Sequence, residues 1–253
     1  MDETTASLAA LWARVAQRAD PLPLSWMLLA VAAGAALVLL PVTWHTVRHA
    51  VTVVHEGGHG LAAVLTGRRL TGIRLHSDTS GLTVSRGPRS GPGMVLTLLA
   101  GYTAPALASL GAAWLLGAGF AAGLLWALLL LLALMLVQIR NWFGLWVVLV
   151  GAAVVAGVTW LAPVEWQQVF GLVLVSVLGL GALRASVELQ SSRRRAARRG
   201  ARTESDADQL AGLTHVPGVL WVGVFVGVAA ACLVGASLLL FPGWLAPQAR
   251  LAP

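Results

Sequence analysis

Charge is scarce in this chain. Only 11% of the 253 residues are charged, none of them lysine, while 58% are hydrophobic and the mean hydropathy is +0.81. Those values lie outside the range of an ordinary soluble domain and imply a membrane protein. Cysteine is nearly missing too: Cys232 stands alone in an apolar run, which excludes a disulfide framework and a cysteine zinc cluster. Residues 1–20 are polar and amphipathic and the first apolar run is span-length, so no leader is expected to be removed. No internal repeat stands out. The net charge of +7 would suit nucleic acid in a soluble chain, but every basic residue is an arginine and most flank apolar runs. Membrane topology is therefore their expected role, with no nucleic-acid partner. Trp26, Trp44, Trp142, Trp160, Trp166, Trp221 and Trp244 fall near the ends of those runs, where an amphipathic ring anchors at the interface.

A helix needs about 20 apolar residues to cross hydrocarbon. That ruler marks candidates near 24–44, 48–66, 93–117, 120–138, 144–162, 168–185 and 218–241. The expected fold is thus an all-α polytopic membrane protein of about seven transmembrane helices. Seven spans put the N-terminus, 67–92, 139–143 and 186–217 on one side. Of the 17 arginines, all but Arg48 and Arg250 then share it. By the positive-inside rule this side is cytoplasmic, giving a multi-pass protein of the cell membrane with its N-terminus inside and its C-terminus outside.

Two connections carry more than loop character. Residues 70–86 (LTGIRLHSDTSGLTVSR) alternate, break at Ser77–Gly81 and resume with β-prone residues, which reads as a small cytoplasmic β-hairpin after the second span. Residues 190–217 open with SSRRRAARRGAR, suited to anionic headgroups, and continue with ESDADQLAGLTHVP, a short helix opening at Ser205 and closing before Pro217. The expected organisation is a cytoplasmic segment 1–23, a membrane domain 24–185 containing the span 48–66 and the hairpin, a basic cytoplasmic loop 186–217, and a last span with external C-terminus over 218–253.

The chemistry lies in VVHEGGHGLAAVLTG within the second span. Helical spacing of four sets His55 and His59 on one face, where both can bind one metal, and places Glu56 beside it. In this zincin arrangement zinc lowers the pKa of its water and Glu56 takes the proton as the water attacks a peptide carbonyl. An HExxH string is expected by chance roughly 0.003 times in a chain of this composition. A glutamate and two histidines at membrane depth are also costly, which favours function over a structural buried triad. His45 and His49 share the spacing but have no glutamate between them, and interfacial histidines account for them; His76 and His215 are lone residues near a surface.

At these residues the sequence resembles the site-2 proteases, intramembrane zinc metallopeptidases whose HExxH lies in a membrane helix. The resemblance runs over roughly residues 45–115. It implies Zn²⁺ held by His55 and His59, Glu56 as catalytic base, and a membrane-tethered protein or peptide as substrate. Gly60, Ala62 and Ala63 resemble the family's close-packed active-site helix. The hairpin resembles its substrate-presenting strand element, which would extend a peptide by strand addition.

The family's usual third ligand, the aspartate of a Leu-Asp-Gly motif, has no counterpart, as in a divergent bacterial branch. Asn141, in QIRNWFG, falls where the family's asparagine stretch is expected; it could hold substrate backbone, cap a helix, or stand with Asp206 and Asp208 as a candidate third ligand. Among carboxylates, Asp78 suits its own turn and Glu165 lies on the opposite side. Asp206 and Asp208 remain, in a string (SDADQLAGLT) that resembles a segment of a bacterial branch of the family. On that resemblance Asp206 is the expected third ligand. The alternative is a capping role at the start of the short helix, where Ser205 and Asp208 form an S-x-x-D pair. The expected function is a membrane-embedded zinc metalloendopeptidase acting by Glu-assisted attack of zinc-bound water. The alternatives are an inactive membrane scaffold and a metal-binding transporter-like protein.

Overall fold

The computed structural model describes residues 9, 12–201 and 203–242. Arg202, and the stretch 243–253 with Trp244, Arg250 and the C-terminus expected outside, lie outside the described residues. Every apolar run becomes a helix: α1 Leu24–Leu39, α2 Pro41–Leu65, α3 Pro92–Gly117, α4 Ala121–Gln138, α5 Trp142–Leu161, α6 Val164–Arg198 and α8 Gly218–Leu240, with a short α7 at Asp206–Thr214. A two-stranded antiparallel sheet, β1 Arg69–Leu75 and β2 Gly81–Arg86, follows α2.

Five of these helices, α3 to α6 and α8, are long and apolar enough to cross a membrane, and the pair α1–α2 makes a sixth if taken as one broken span. The count of seven is therefore not reached. Helices α1 and α2 meet at 99° because Leu40 is extended (φ −75, ψ 128) and Pro41 starts a new helix without an N–H to continue the old one. With 16 residues, α1 is about 24 Å long, short of a hydrocarbon core of about 30 Å. Helix α2, which carries Arg48, His45, His49, Glu56 and both motif histidines, packs along α3.

The bend corrects the expected placement of the N-terminal segment. Gln168 Nε2 donates to the Asp20 carbonyl (3.0 Å), Ala19 N–H donates to the Gly119 carbonyl (2.9 Å), and Leu22 is buried with Ala113, Leu172 and Leu240. At the far end of α1, Arg184 of α6 donates to the Leu39 carbonyl (3.3 Å). Thus α1 and α6 run parallel, and residues 18–22 lie at the same end of the bundle as the end of α8, not opposite it. Among the described arginines only Arg14 and Arg18 belong to that end; Arg48 moves to the basic end.

Helix α6 also corrects the 186–217 loop. It runs unbroken through the arginine tract to Arg198, and its 35 residues reach about 52 Å. Hydropathy marks only the apolar part; arginine, alanine and glutamine keep the helix going beyond it. The chain then turns back through Gly200 (φ 68) to α7, capped at Ser205 and closed at His215 in the left-handed conformation (φ 59). Ala207 and Leu210 of α7 are wholly buried against Leu98, Leu189, Val222 and Phe225. Full burial of a leucine such as Leu210 contributes about 1.5–3 kcal/mol, which docks α7 onto α3, α6 and α8.

Asp78 spends its carboxylate on the hairpin turn, accepting from Ser80 N–H (3.0 Å) and Ser80 Oγ (2.7 Å); these bonds hold its pKa below the ordinary carboxylate range. Ile73 and Leu75 of β1 are buried against Met135, Ile139 and Val148. The outer edge of β1 is covered: Ile73 bridges Ile139 and Arg140 N–H donates to the Ile73 carbonyl (2.9 Å). Strand β2 pairs only with β1 among the described residues, and its Thr83 reaches α2.

Candidate active site

Helix α2 brings its motif face against α3. The contact depends on missing side chains: a Cβ on Gly101 would collide with both histidine rings, at Cε1 and Nε2 of His59 and at Cε1 of His55. On α2 itself the tightest approach is at Gly58, where a Cβ would strike Ala104 Cβ and the Ala100 carbonyl. Gly60, marked in the sequence as a close-packing position, instead faces Leu70 and Ile73 of the hairpin. Gly58 and Gly101 lie on facing helices far apart in the chain, so only packing reveals what each makes room for.

The two imidazoles stand edge to face with centroids 4.6 Å apart, and their Nε2 atoms are 3.1 Å apart. Asp206, at the first turn of α7, completes a triangle: its Oδ2 lies 3.4 Å from His55 Nε2 and 3.2 Å from His59 Nε2. Burial alone would raise the Asp206 carboxyl, but its hydrogen bonds to the two imidazoles hold it well below the usual carboxylate range. His59 Nδ1 is 2.7 Å from the Thr97 carbonyl. A carbonyl only accepts, so Nδ1 donates to it and Nε2 is the ring nitrogen turned to the triangle.

The chemistry of this donor set fits zinc. Ligands at about 2.0–2.1 Å in a tetrahedron are separated by about 3.3 Å, and the three observed edges are 3.1, 3.2 and 3.4 Å. Two imidazoles and a carboxylate converging on one point are donor types that zinc takes. Among the described residues, these three have ligand atoms that all lie within 4.8 Å of one another.

Glu56 projects from α2 beside the triangle and is buried. Thr83 Oγ1 of β2 donates to its Oε2 (2.6 Å), and the Gly81 backbone passes so close that a Cβ there would collide with Oε1. Thr52, one turn earlier, donates to the Thr79 carbonyl (2.9 Å), so the hairpin is tied to α2 on both sides of the glutamate. A cavity of about 450 Å³ opens between α2, β2, α3 and the start of α7, lined by His55, Glu56, His59, Thr83, Tyr102 and Asp206 among others.

The other residues read from the sequence are placed elsewhere. Asp208 does not face the histidines: its Oδ2 accepts from Ser205 Oγ (2.6 Å) and from the Ser205 N–H (3.3 Å) in a capping box. Capping and the triangle are thus divided between two aspartates two residues apart. Asn141 neither reaches the triangle nor caps α5. Its side chain grips β1 at Leu75, accepting from the Leu75 N–H (3.1 Å) and donating to the Leu75 carbonyl (2.6 Å). Asn141→Ala is accordingly expected to leave two backbone groups of β1 without partners, costing about 1–3 kcal/mol. Thermal unfolding in detergent measures it, and an unchanged melting temperature would contradict the clamp. His45 and His49 meet each other edge to face at 6.0 Å, His49 also contacts Phe143 at 5.4 Å, and Glu165 begins α6 at the far end.

Tyr102, Thr97 and Thr83 were not legible as site residues. Tyr102, the chain's single tyrosine, sets its ring edge-on to His55 (4.7 Å) and stacks on Phe225 (4.9 Å, 15°). Its uniqueness was visible in the sequence, whereas Thr97 acts through a backbone carbonyl, to which side-chain identity gives no clue.

A family model described as Peptidase M50B-like matches residues 28–236, a stretch that contains all of these groups. No curated protein and no solved structure matches the chain.

Proposed function

The chain belongs to the site-2 protease family of membrane metallopeptidases, as a Peptidase M50B-like member, and from that premise we propose that it is a zinc-dependent endopeptidase cleaving membrane-tethered proteins. The observation that carries the proposal is the triangle of His55, His59 and Asp206 with a buried Glu56 beside it on the same helix. When bound, zinc would supply the Lewis acidity that makes water nucleophilic near neutral pH and polarises a peptide carbonyl. His55, His59 and Asp206 would hold it. Thr97 orients His59 from behind, and Thr83 orients Glu56 by its bond to Oε2. Glu56 then serves as proton acceptor for the attacking water and returns the proton to the leaving amine. With the β1 edge covered by residues 139–141, the β2 edge is the one that would receive a substrate strand, placing its backbone along Gly81–Thr83 beside Glu56. The scaffold and transporter-like alternatives give Glu56 no proton to move, and the Glu56→Gln assay described below separates them from the protease.

In the cell membrane, the orientation proposed has the hairpin, the α4–α5 turn and the arginine tract in the cytoplasm, with residues 18–22 and the end of α8 outside. Anionic headgroups are the partner proposed for the tract. Reporter fusions test this: those after residues 90, 140 and 200 are expected to read cytoplasm, and those at residue 18 and after residues 119 and 163 to read outside. A cytoplasmic reading at residue 18 would restore the seven-span count.

A further inference from the structure

The third member of the triangle comes from a nine-residue helix outside the spans, and what aims it is an ion pair on the other side of that helix. Successive residues turn by about 100°, so Asp206 and Asp208 point about 200° apart around the α7 axis. Whatever draws Asp208 one way directs Asp206 the other. Arg193, on the extension of α6 beyond the membrane, draws Asp208: its Nε lies 2.9 Å and its Nη2 2.7 Å from Asp208 Oδ1. The guanidinium is itself fixed, with Nη1 donating to Gln190 Oε1 (2.9 Å). Gly218, at the start of α8, leaves it room, since a Cβ there would collide with Nη2. Asp208 divides its oxygens: Oδ2 takes the capping bonds from Ser205 and Thr203 that any helix start could use, while Oδ1 is given to α6 alone. Ala207 and Leu210, buried against α3, α6 and α8, turn one face of α7 to the core and so limit its roll to a range; the directional contact within that range is the one to Arg193.

We propose that the Arg193–Asp208 ion pair is a positioning pair that sets the roll of α7 and thereby holds Asp206 against His55 and His59. Neither residue touches the metal site. The inference rests on the zinc reading above, and its test is built to fail separately from it. The protein is purified in detergent as the full chain, as wild type, Arg193→Gln and Arg193→Lys. Zinc affinity is measured by competition with a chromogenic chelator, and cleavage of a membrane-anchored peptide is followed over a zinc titration. Outer partners of metal ligands typically contribute 10–100-fold to affinity. Arg193→Gln is therefore expected to bind zinc at least about tenfold more weakly than wild type, and to recover most of its cleavage rate at saturating zinc. Arg193→Lys, which keeps the charge but not the fork, is expected to fall between. Unchanged zinc affinity in Arg193→Gln overturns the proposal, and so does a rate loss that added zinc does not restore, since that is the signature of a general structural role. A wild type that binds no zinc instead overturns the parent reading. If Arg193→Gln does not fold, Gln190→Ala, which frees the guanidinium while keeping the ion pair's charges, is measured in the same way; an affinity equal to wild type there overturns the proposal.

Discussion

Glu56→Gln is expected to cleave a membrane-anchored peptide at least about 10²-fold more slowly than wild type while retaining zinc and fold. The substitution keeps the shape of the side chain and can still accept from Thr83 Oγ1 through its amide oxygen, so the tie between α2 and β2 that now measures 2.6 Å survives. What disappears is the carboxylate that takes the proton from the attacking water. A hundredfold loss corresponds to about 2.7 kcal/mol of barrier, within the range for a positioned general base and far above what a lost surface contact would give. The assay uses purified protein in detergent, with zinc content measured on the same samples. Cleavage at the wild-type rate would remove Glu56 from the chemistry and leave the scaffold reading standing.

Losing one corner of the triangle has a different signature. His55→Ala and Asp206→Ala are each expected to reduce bound zinc to background and abolish cleavage together, because two remaining groups cannot close a site whose edges of 3.1, 3.2 and 3.4 Å require three. Asn141→Ala serves as the control from among the three residues the sequence offered for the third position. Its side chain is occupied by Leu75, so this variant is expected to keep its zinc while unfolding at lower temperature. Full zinc occupancy in Asp206→Ala would mean that the third ligand lies elsewhere.

Much of the architecture follows from local rules. A membrane helix must satisfy its own backbone, so each apolar run declares itself. The hairpin declares itself equally, by a turn-forming Ser77–Gly81 between β-prone residues. The strong arginine bias orients the chain but does not tell seven spans from six. Folding α1 and α2 into one bent crossing exchanges only the N-terminal segment and Arg48 between the two sides, and the bias hardly changes.

What the sequence determined by itself is the set of elements and the motif. An α-helix places residues four apart on one face whatever surrounds it, so His55, Glu56 and His59 were associated before any packing was known. What only the tertiary structure decided is whatever joins distant parts of the chain. It made α1 and α2 one bent pair: Pro41 permits the break locally, while α6 holds the end of α1 through Arg184. It brought Gly101 beneath the histidines and closed one edge of the hairpin with Asn141. It also sent Asp208 to cap α7 and bind Arg193 while Asp206 turned to the histidines. The two aspartates share one short string and one chemistry, and nothing local to them distinguishes a cap from a ligand. The difference is the roll of a nine-residue helix, set by side chains of α3, α6 and α8 that meet it only in the folded protein.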